Sequence, residues 1–401
     1  MRVLITDTAL TPYAHAYYKK LALSGCDIFL LLPEKKSDTG QNVREYEGSE
    51  IPYRIGYSQV RKMWYGKNGM VSLRKFLIKE IPDVLVLTWP YYIDLYFNRR
   101  IIHIMAQRKI RLVIREIPFQ LPRFGELDYF IRCPSYDEDL NLLSRGFLFR
   151  FRAWLTMYIR RFVYRKADAY IGYYSHARDI LESYGLRKDA FFYGNTTDTD
   201  LLLSIRKQLE CIPPILGRRQ RILHIGRLVK WKKVELLILA FSLIVKEYRD
   251  CELVIVGEGP EKGSLSRMAV NLGLSDKILF TGAIYDPMEL GQYMRGASLY
   301  VLAGMGGLSI NDAMCFSLPI ICSVCDGTER DLVRDGVNGF FFKENDVVDL
   351  SQKMYLILSN PPMAEEMGKR SLQIIMERAN IDTFTKMYRS ALDYAMQADA
   401  N

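Results

Sequence analysis

The sequence predicts an α/β protein built from two doubly wound halves. Short apolar runs alternate with helical periodicity from Arg2 onward, and the same rhythm restarts at Arg221 after a polar, proline-bearing stretch. At 401 residues the chain is also longer than one ordinary core supports, which makes two domains the default.

Residues 2–6, 14–23 and 26–32 read as strand, helix and strand, the opening unit of a parallel sheet. Further strands are expected at 83–87 and 111–115, with the last strand of this half at 167–172. A helix near 175–184 and a short run at 191–193 follow. Between Thr196 and Gln220 the periodicity lapses through TTDTD and CIPPILGRRQ, which places the linker there. The second half then reads as strand 221–225, helix 234–248, strand 252–256, helix 264–272, strand 278–280 and helix 288–295. Two such halves are expected to hold a ligand in a cleft between them, outside the carboxyl ends of the strands. The final segment, 384–396, carries one apolar helical face and needs a surface to pack on.

Hydrophobic residues make up 49% and charged residues 25%, the balance of a soluble globular chain rather than a disordered one. The opening MRVLI lacks a basic leader, and the longest apolar run, 236–245, is too short to span a bilayer and is broken by Ser242, so a cytoplasmic protein is expected. Seven scattered cysteines fit reduced thiols. Cys322 and Cys325 form an isolated CxxC with no second pair, and no metal is expected. A net charge of +9 favours anionic partners without choosing among them.

The most informative stretch is 300–323, YVLAGMGGLSINDAMCFSLPIICS. An apolar run (Tyr300, Val301, Leu302) meets a turn containing Gly304, Met305, Gly306, Gly307 and Leu308, and a helix opens at Ser309 carrying Asp312. Unpaired N–H groups at such a helix start suit a phosphate. Pro319 is expected to end the helix before the strand 320–322.

Upstream, Gly226, Arg227 and Lys232 follow a strand in GRLVKWKK, where two cations can clamp a diphosphate; a solvated basic turn is the alternative. VGEGPEKG at 256–263 spaces its glycines one residue too widely for a dinucleotide fingerprint and reads as a tight turn, which leaves an oxidoreductase with little support. Residues 147–165, FLFRFRAWLTMYIRRFVYR, combine Phe147, Phe151, Trp154, Leu155, Tyr158 and Phe162 with Arg150, Arg160, Arg161 and Arg165. A membrane-interface helix and a core-facing helix with a charged rim both fit. No register of aromatic and basic residues identifies a nucleic-acid module. The four histidines show no metal-ligand spacing, and His15 is expected at the surface.

Taken together, GRL at 226–228 with Lys232, GEGP at 257–260, FTG at 280–282, the GGLS, DAM and LPII run, and DLVRDGVNGF at 331–340 resemble, in order and approximate spacing, the retaining GT-B glycosyltransferases of family 4. The first half matches weakly, through ADAYIGYYSHARDIL and Asn195 with Asp198. The resemblance implies two Rossmann-like domains facing a central cleft: 1–200 holding the acceptor, 201–380 holding a nucleotide-sugar donor, and a C-terminal helix, 381–401, packing back on the first. It implies that Arg227 and Lys232 stabilise the departing diphosphate, that the amides of Gly307, Leu308 and Ser309 meet its distal phosphate, and that Asp312 holds the ribose. Residues just beyond Thr281 and Gly282 would flank the base.

Under that resemblance the chain is a retaining, hexosyltransferase-like enzyme of polysaccharide biosynthesis. It would need no cofactor or metal beyond its donor substrate and would act on a glycan or lipid-linked acceptor at the inner face of the plasma membrane, with a peripheral contact through 147–165. Three departures stand out. Gly304 occupies the place of a family glutamate that contacts the transferred sugar, and Thr8 and Ala9 replace the first domain's glycine pair. Arg115 or Glu116 stands where the family often has a histidine. These motivate the alternative of a catalytically impaired homologue that binds nucleotide sugar or supports a partner transferase.

Overall fold

The computed structural model describes residues 1–34, 46–63, 66–117, 121–129, 146–212, 220–324 and 327–397. The described residues form two compact units, one made of those within 1–134, 144–195 and 381–401, the other of those within 196–380.

In the first unit the elements are β1 (Arg2–Thr6), α1 (Pro12–Leu23), β2 (Asp27–Pro33), β3 (Arg54–Ser58), β4 (Val60–Lys62), β5 (Asn68–Met70), α2 (Leu73–Glu80), β6 (Val84–Thr88), α3 (Asp94–Phe97), α4 (Arg99–Gln107), β7 (Arg111–Glu116), α5 (Phe147–Tyr164), β8 (Ala169–Gly172), α6 (Ala177–Ser183) and β9 (Phe191–Tyr193). Seven strands make a parallel sheet in the order β3-β2-β1-β6-β7-β8-β9, and β4 and β5 form a separate antiparallel ribbon. Runs such as VLVLT in β6 are buried throughout, as a parallel sheet covered on both faces requires. The chain enters α1 through Thr11, whose hydroxyl accepts from the Ala14 amide at 3.2 Å, with Pro12 in the first turn.

The second unit contains α7 (Thr199–Leu209), β10 (Gln220–Ile225), α8 (Val234–Ile244), β11 (Cys251–Val256), α9 (Lys262–Asn271), β12 (Ile278–Gly282), α10 (Pro287–Arg295), β13 (Leu299–Leu302), α11 (Ser309–Cys315), β14 (Ile320–Cys322), α12 (Thr328–Leu332), β15 (Gly339–Phe341), α13 (Val347–Leu358) and α14 (Pro361–Glu377). Its parallel sheet runs β12-β11-β10-β13-β14-β15. In both sheets the strand order reverses beside the first strand, between β1 and β6 and between β10 and β13. Such switch points open a crevice at the carboxyl ends.

The chain then returns to the first unit as α15 (Ile381–Gln397). Phe384, Tyr388, Ala391, Leu392 and Ala395 join Val3, Ile5, Tyr17 and Leu21 in one core cluster. Tyr17 meets Phe384 edge-on at 5.0 Å, and Lys20 pairs with Asp382 at 2.5 Å.

Five expectations need correction. The stretch read as linker contains α7, capped by Asp198, whose carboxylate accepts from the Leu201 amide at 3.2 Å; Leu202, Ile205 and Leu209 are its buried face. The last strand of the first sheet is β9, not β8. Helix α11 ends at Cys315, ahead of Pro319, because Ser317 turns left-handed at φ 58°. His15 is buried: its Nδ1 lies 2.8 Å from the Tyr53 hydroxyl and its ring stacks on Tyr46 at 3.7 Å. Arg160 faces inward to pair with Glu116 at 2.8 Å. Residues 213–219 of the expected linker and Cys325 of the CxxC lie outside the described residues. Among the described residues no helix is long and apolar enough to cross a membrane.

Candidate functional site

Four turns leave the carboxyl edge of the second sheet and fit against one another through the main chain. The Gly226 amide donates to the Val256 carbonyl at 3.0 Å, the Leu228 amide to the Glu258 carbonyl at 2.9 Å, and the Gly257 amide to the Gly282 carbonyl at 2.8 Å. A Cβ on Gly257 would sit 1.9 Å from the Gly226 carbonyl oxygen, and one on Gly259 would sit 2.3 Å from that of Leu228. VGEGP is therefore a turn whose glycines let two main chains touch, and it positions the 226–232 loop from one side.

The turn after β13 holds that loop from the other side. The Met305 amide donates to the Trp231 carbonyl at 2.9 Å, and the Lys232 ammonium donates to the carbonyls of Met305 and Gly306 at 2.9 and 2.7 Å. The structure thus brings Lys232 together with Gly304, Met305, Gly306 and Gly307. Its Nζ would lie 3.3 Å from a Cβ on Gly307. Arg227, by contrast, is exposed, with its guanidinium 5.6 Å from the centre of the Trp231 ring.

Gly304 has a physical reason to be glycine. A Cβ there would lie 2.2 Å from the Trp231 carbonyl oxygen and 2.5 Å from the Lys232 carbonyl carbon. No side chain fits without parting the two turns, so the glutamate of the family pattern has no room in this arrangement.

Helix α11 begins past this turn without a side-chain cap, and the amides of Gly307, Leu308 and Ser309 give no hydrogen bond to a described residue. Beneath it, the buried Tyr300 hydroxyl lies 2.7 Å from Ser309 Oγ and 3.2 Å from the Ile225 carbonyl, tying the helix start to β10. Asp312 is half-buried, and its Oδ1 has no hydrogen-bond partner. Burial pushes its carboxyl up to about 7, against a hydrogen bond from Thr197 that pulls the other way.

Sequence reading missed His224, Glu329 and Thr197 here. His224 is fully buried in β10, with Nδ1 3.0 Å from the Val301 carbonyl, so Nδ1 carries the proton and Nε2 is left without a partner. Burial lowers this imidazole to about 4, with Lys232 acting in the same direction and the Val301 hydrogen bond opposing both. Glu329, 1% exposed, accepts from the Gly327 amide at the start of α12. Thr281 is turned to the Gly282 carbonyl at 2.9 Å. Nothing in their local spacing marked His224 or Thr197.

The first unit has its own site at its own switch point. A cavity of about 210 Å³ lies beyond the ends of β1, β6 and β7, lined by Asp7, Thr8, Ala9, Tyr13, Trp89, Arg115, Glu116 and Tyr173 among others. Neighbours on one strand, Arg115 and Glu116 enter different networks. Arg115 donates to Asp7 at 3.0 Å and to the Tyr18 hydroxyl at 2.9 Å, and its guanidinium lies over the Tyr17 ring at 5.2 Å. Glu116 accepts from Tyr92 at 2.7 Å, Tyr164 at 2.5 Å and Arg160 at 2.8 Å, while Arg160 covers Trp89 at 4.2 Å.

Two doubly wound parallel sheets of this order define the GT-B fold. It is shared over nearly the whole chain with Anabaena HepE in complex with UDP, at a TM-score of 0.68 and 15% identity, covering 98% of this chain and 100% of that one. Residues 206–373 match the family model of glycosyl transferases group 1. An uncharacterized glycosyltransferase of Haemophilus influenzae is 27% identical over 174 residues, 43% of this chain and 48% of its own length. The alpha-monoglucosyldiacylglycerol synthase of Streptococcus pneumoniae is 23% identical over 282 residues, 63% of this chain and 61% of its own length. The chain spans about half the length of the curated relatives it matches.

Proposed function

We propose that this protein is a retaining glycosyltransferase that moves a sugar from a nucleotide-diphosphate sugar to a glycan or lipid-linked acceptor. The observation that carries the reading is Lys232 seated on the glycine turn beside the uncapped start of α11, at the switch point of the sheet inside the region matching glycosyl transferases group 1. In this reading the Thr196–Asn380 unit holds the donor. The Gly307, Leu308 and Ser309 amides receive the distal phosphate, Lys232 and Arg227 offset the charge that grows on the diphosphate as it leaves, and Asp312 accepts from the ribose hydroxyls. Gly226 and Gly282 shape the turns that flank the nucleotide. The bond from the anomeric carbon to the diphosphate breaks as the acceptor oxygen bonds on the same face, and the leaving phosphate takes the acceptor's proton. No metal and no second carboxylate enters this scheme.

The first unit's cavity is the acceptor site in the same reading, and residues 147–165 supply a peripheral membrane contact for a lipid-linked acceptor in surface polysaccharide or glycolipid assembly. The S. pneumoniae relative, named for a glycolipid product, supports that choice of acceptor. A thermal-shift screen of nucleotide sugars followed by nucleotide-release assays tests the whole. A stabilising donor with turnover on an acceptor is expected. Tight donor binding without transfer to any acceptor would favour an impaired homologue, and no stabilisation by any nucleotide would overturn the donor site.

A further inference from the structure

Helices α2 and α4 of the first unit leave between them an apolar groove of about 460 Å³, floored by Ile78 and Ile104 and rimmed by Arg74, Arg99, Arg100 and His103. No side chain of those four rim residues makes a hydrogen bond or ion pair with a described residue. The acid on α2, Glu80, pairs with Arg54 and Lys79, and α4 has no acid at all. Ile78 is 46% exposed and Ile81, just past α2, is 42% exposed. Three arginines without a described side-chain partner around an apolar floor are arranged for a ligand that is anionic at one end and greasy at the other.

Tyr96, three residues before Arg99 in the chain, packs against α5. Its ring meets Phe97 at 5.0 Å and Phe162 at 5.2 Å, and with Tyr158, Arg161, Arg165 and Lys166 it lines a second open cavity. Helix α5 contains no acidic residue and exposes Phe151, Trp154 and Tyr158. Those rings lie against one another, Phe151 on Trp154 at 5.9 Å and Trp154 on Tyr158 at 4.5 Å. Such rings form a packed interfacial ridge rather than open platforms for stacking nucleic-acid bases.

We propose that the α2 and α4 groove is a binding site for the phosphate headgroup of an anionic phospholipid, and that with the α5 ridge it docks the first unit on an anionic bilayer. This deepens the reading of a lipid-linked acceptor and rests on it for its purpose, but docking is measured without any sugar transfer, so the two can fail separately. Lipid phosphate sits among Arg74, Arg99 and Arg100, the glycerol backbone against Ile78 and Ile104, and the α5 aromatics at the headgroup level.

The test is flotation of the full chain with vesicles of phosphatidylcholine alone, or of phosphatidylcholine with phosphatidylglycerol, at low and high salt. Flotation with the anionic vesicles at low salt, weakened by salt, is expected. The double variant Arg99→Glu/Arg100→Glu should lower partitioning at least about tenfold, while its thermal midpoint and its thermal shift with a nucleotide diphosphate stay as in the parent. A Phe151→Ser/Trp154→Ser variant separates the ridge from the groove: it should weaken partitioning yet keep its dependence on phosphatidylglycerol. Absence of flotation, equal flotation of the arginine variant, or capture of single-stranded RNA without any vesicle binding would each overturn the proposal.

Discussion

In the second unit, Gly257, Gly259 and Gly304 are points where any Cβ would collide with main-chain atoms of a neighbouring turn. In the first, the corresponding edge is shaped by Asp7, Arg115, Glu116 and Arg160, each satisfied by side chains that arrive from other elements. One site is cast in backbone and seats the Lys232 ammonium on its own carbonyls. The other is a lining of mutually neutralised groups around open space. A backbone-built edge can be reused with little change wherever the same anion must be met, whereas a side-chain lining can be recomposed to suit another partner. That division accords with the donor and acceptor roles proposed above for the two units.

The contrast can be broken first in the first unit. Glu116→Leu leaves Arg160 buried and uncompensated, so a loss of about 3–5 kcal/mol in unfolding free energy is expected from urea titration. A change within experimental scatter would mean that the network is not what holds the cavity's shape. Next comes Gly304→Glu, which supplies the residue of the family pattern. The Cβ contact with Trp231 forces the turns apart, so donor affinity should drop by an order of magnitude or more rather than rise, with roughly 2 kcal/mol of lost stability. Titration calorimetry with the best nucleotide would decide it.

Lys232→Ala should act on chemistry rather than fold. Turnover is expected to fall on the order of a hundredfold, with a thermal midpoint near the parent's, opposite to the behaviour of Glu116→Leu. Near-normal turnover would remove Lys232 from the diphosphate site.

The smallest effect is one of pH. Asp312, raised by burial from 3.8 to about 7, keeps its proton in the folded unit where the unfolded chain has lost it, so its contribution to stability worsens as pH rises from about 4 to about 7. His224, lowered by burial from 6.5 to about 4, stays neutral where the unfolded imidazole is charged, so its contribution worsens as pH falls from about 6.5 to about 4. The two slopes oppose each other over nearly the same window. Asp312→Asn should leave a unit that loses stability in acid, and His224→Gln one that gains it, each by roughly 1–3 kcal/mol across the window. Denaturation at both ends of the window reads the signs directly, and like slopes in the two variants would contradict them.

What was legible in the sequence follows the same divide. Gly226 and the run from Gly304 to Ser309 could be picked out because a turn against a turn needs glycine at set places along a short stretch, and Arg227 and Lys232 because two cations follow a strand within a few residues. Asp7 with Arg115 and Glu116 with Arg160 could not, since their partners are brought together by sheet order and carry no spacing of their own. Helix α7 was misread for a different reason. Its cap, Asp198, lies in a run of threonine and aspartate that looks like a connector, although Leu202, Ile205 and Leu209 already had helical spacing. The burial of His15 has no local signal either, since Tyr53, which accompanies it inside, lies 38 residues away.

Helix α15 imposes an order on biosynthesis. The apolar face that α1 and the sheet offer to Phe384, Tyr388 and Leu392 is translated first, yet its cover is translated after the whole of the Thr196–Asn380 unit. On the ribosome, the nascent first unit therefore waits with that face uncovered while the second emerges. A ribosome that stalls within the second unit leaves behind an amino-terminal half with an open greasy seam, a ready client for chaperones and proteases.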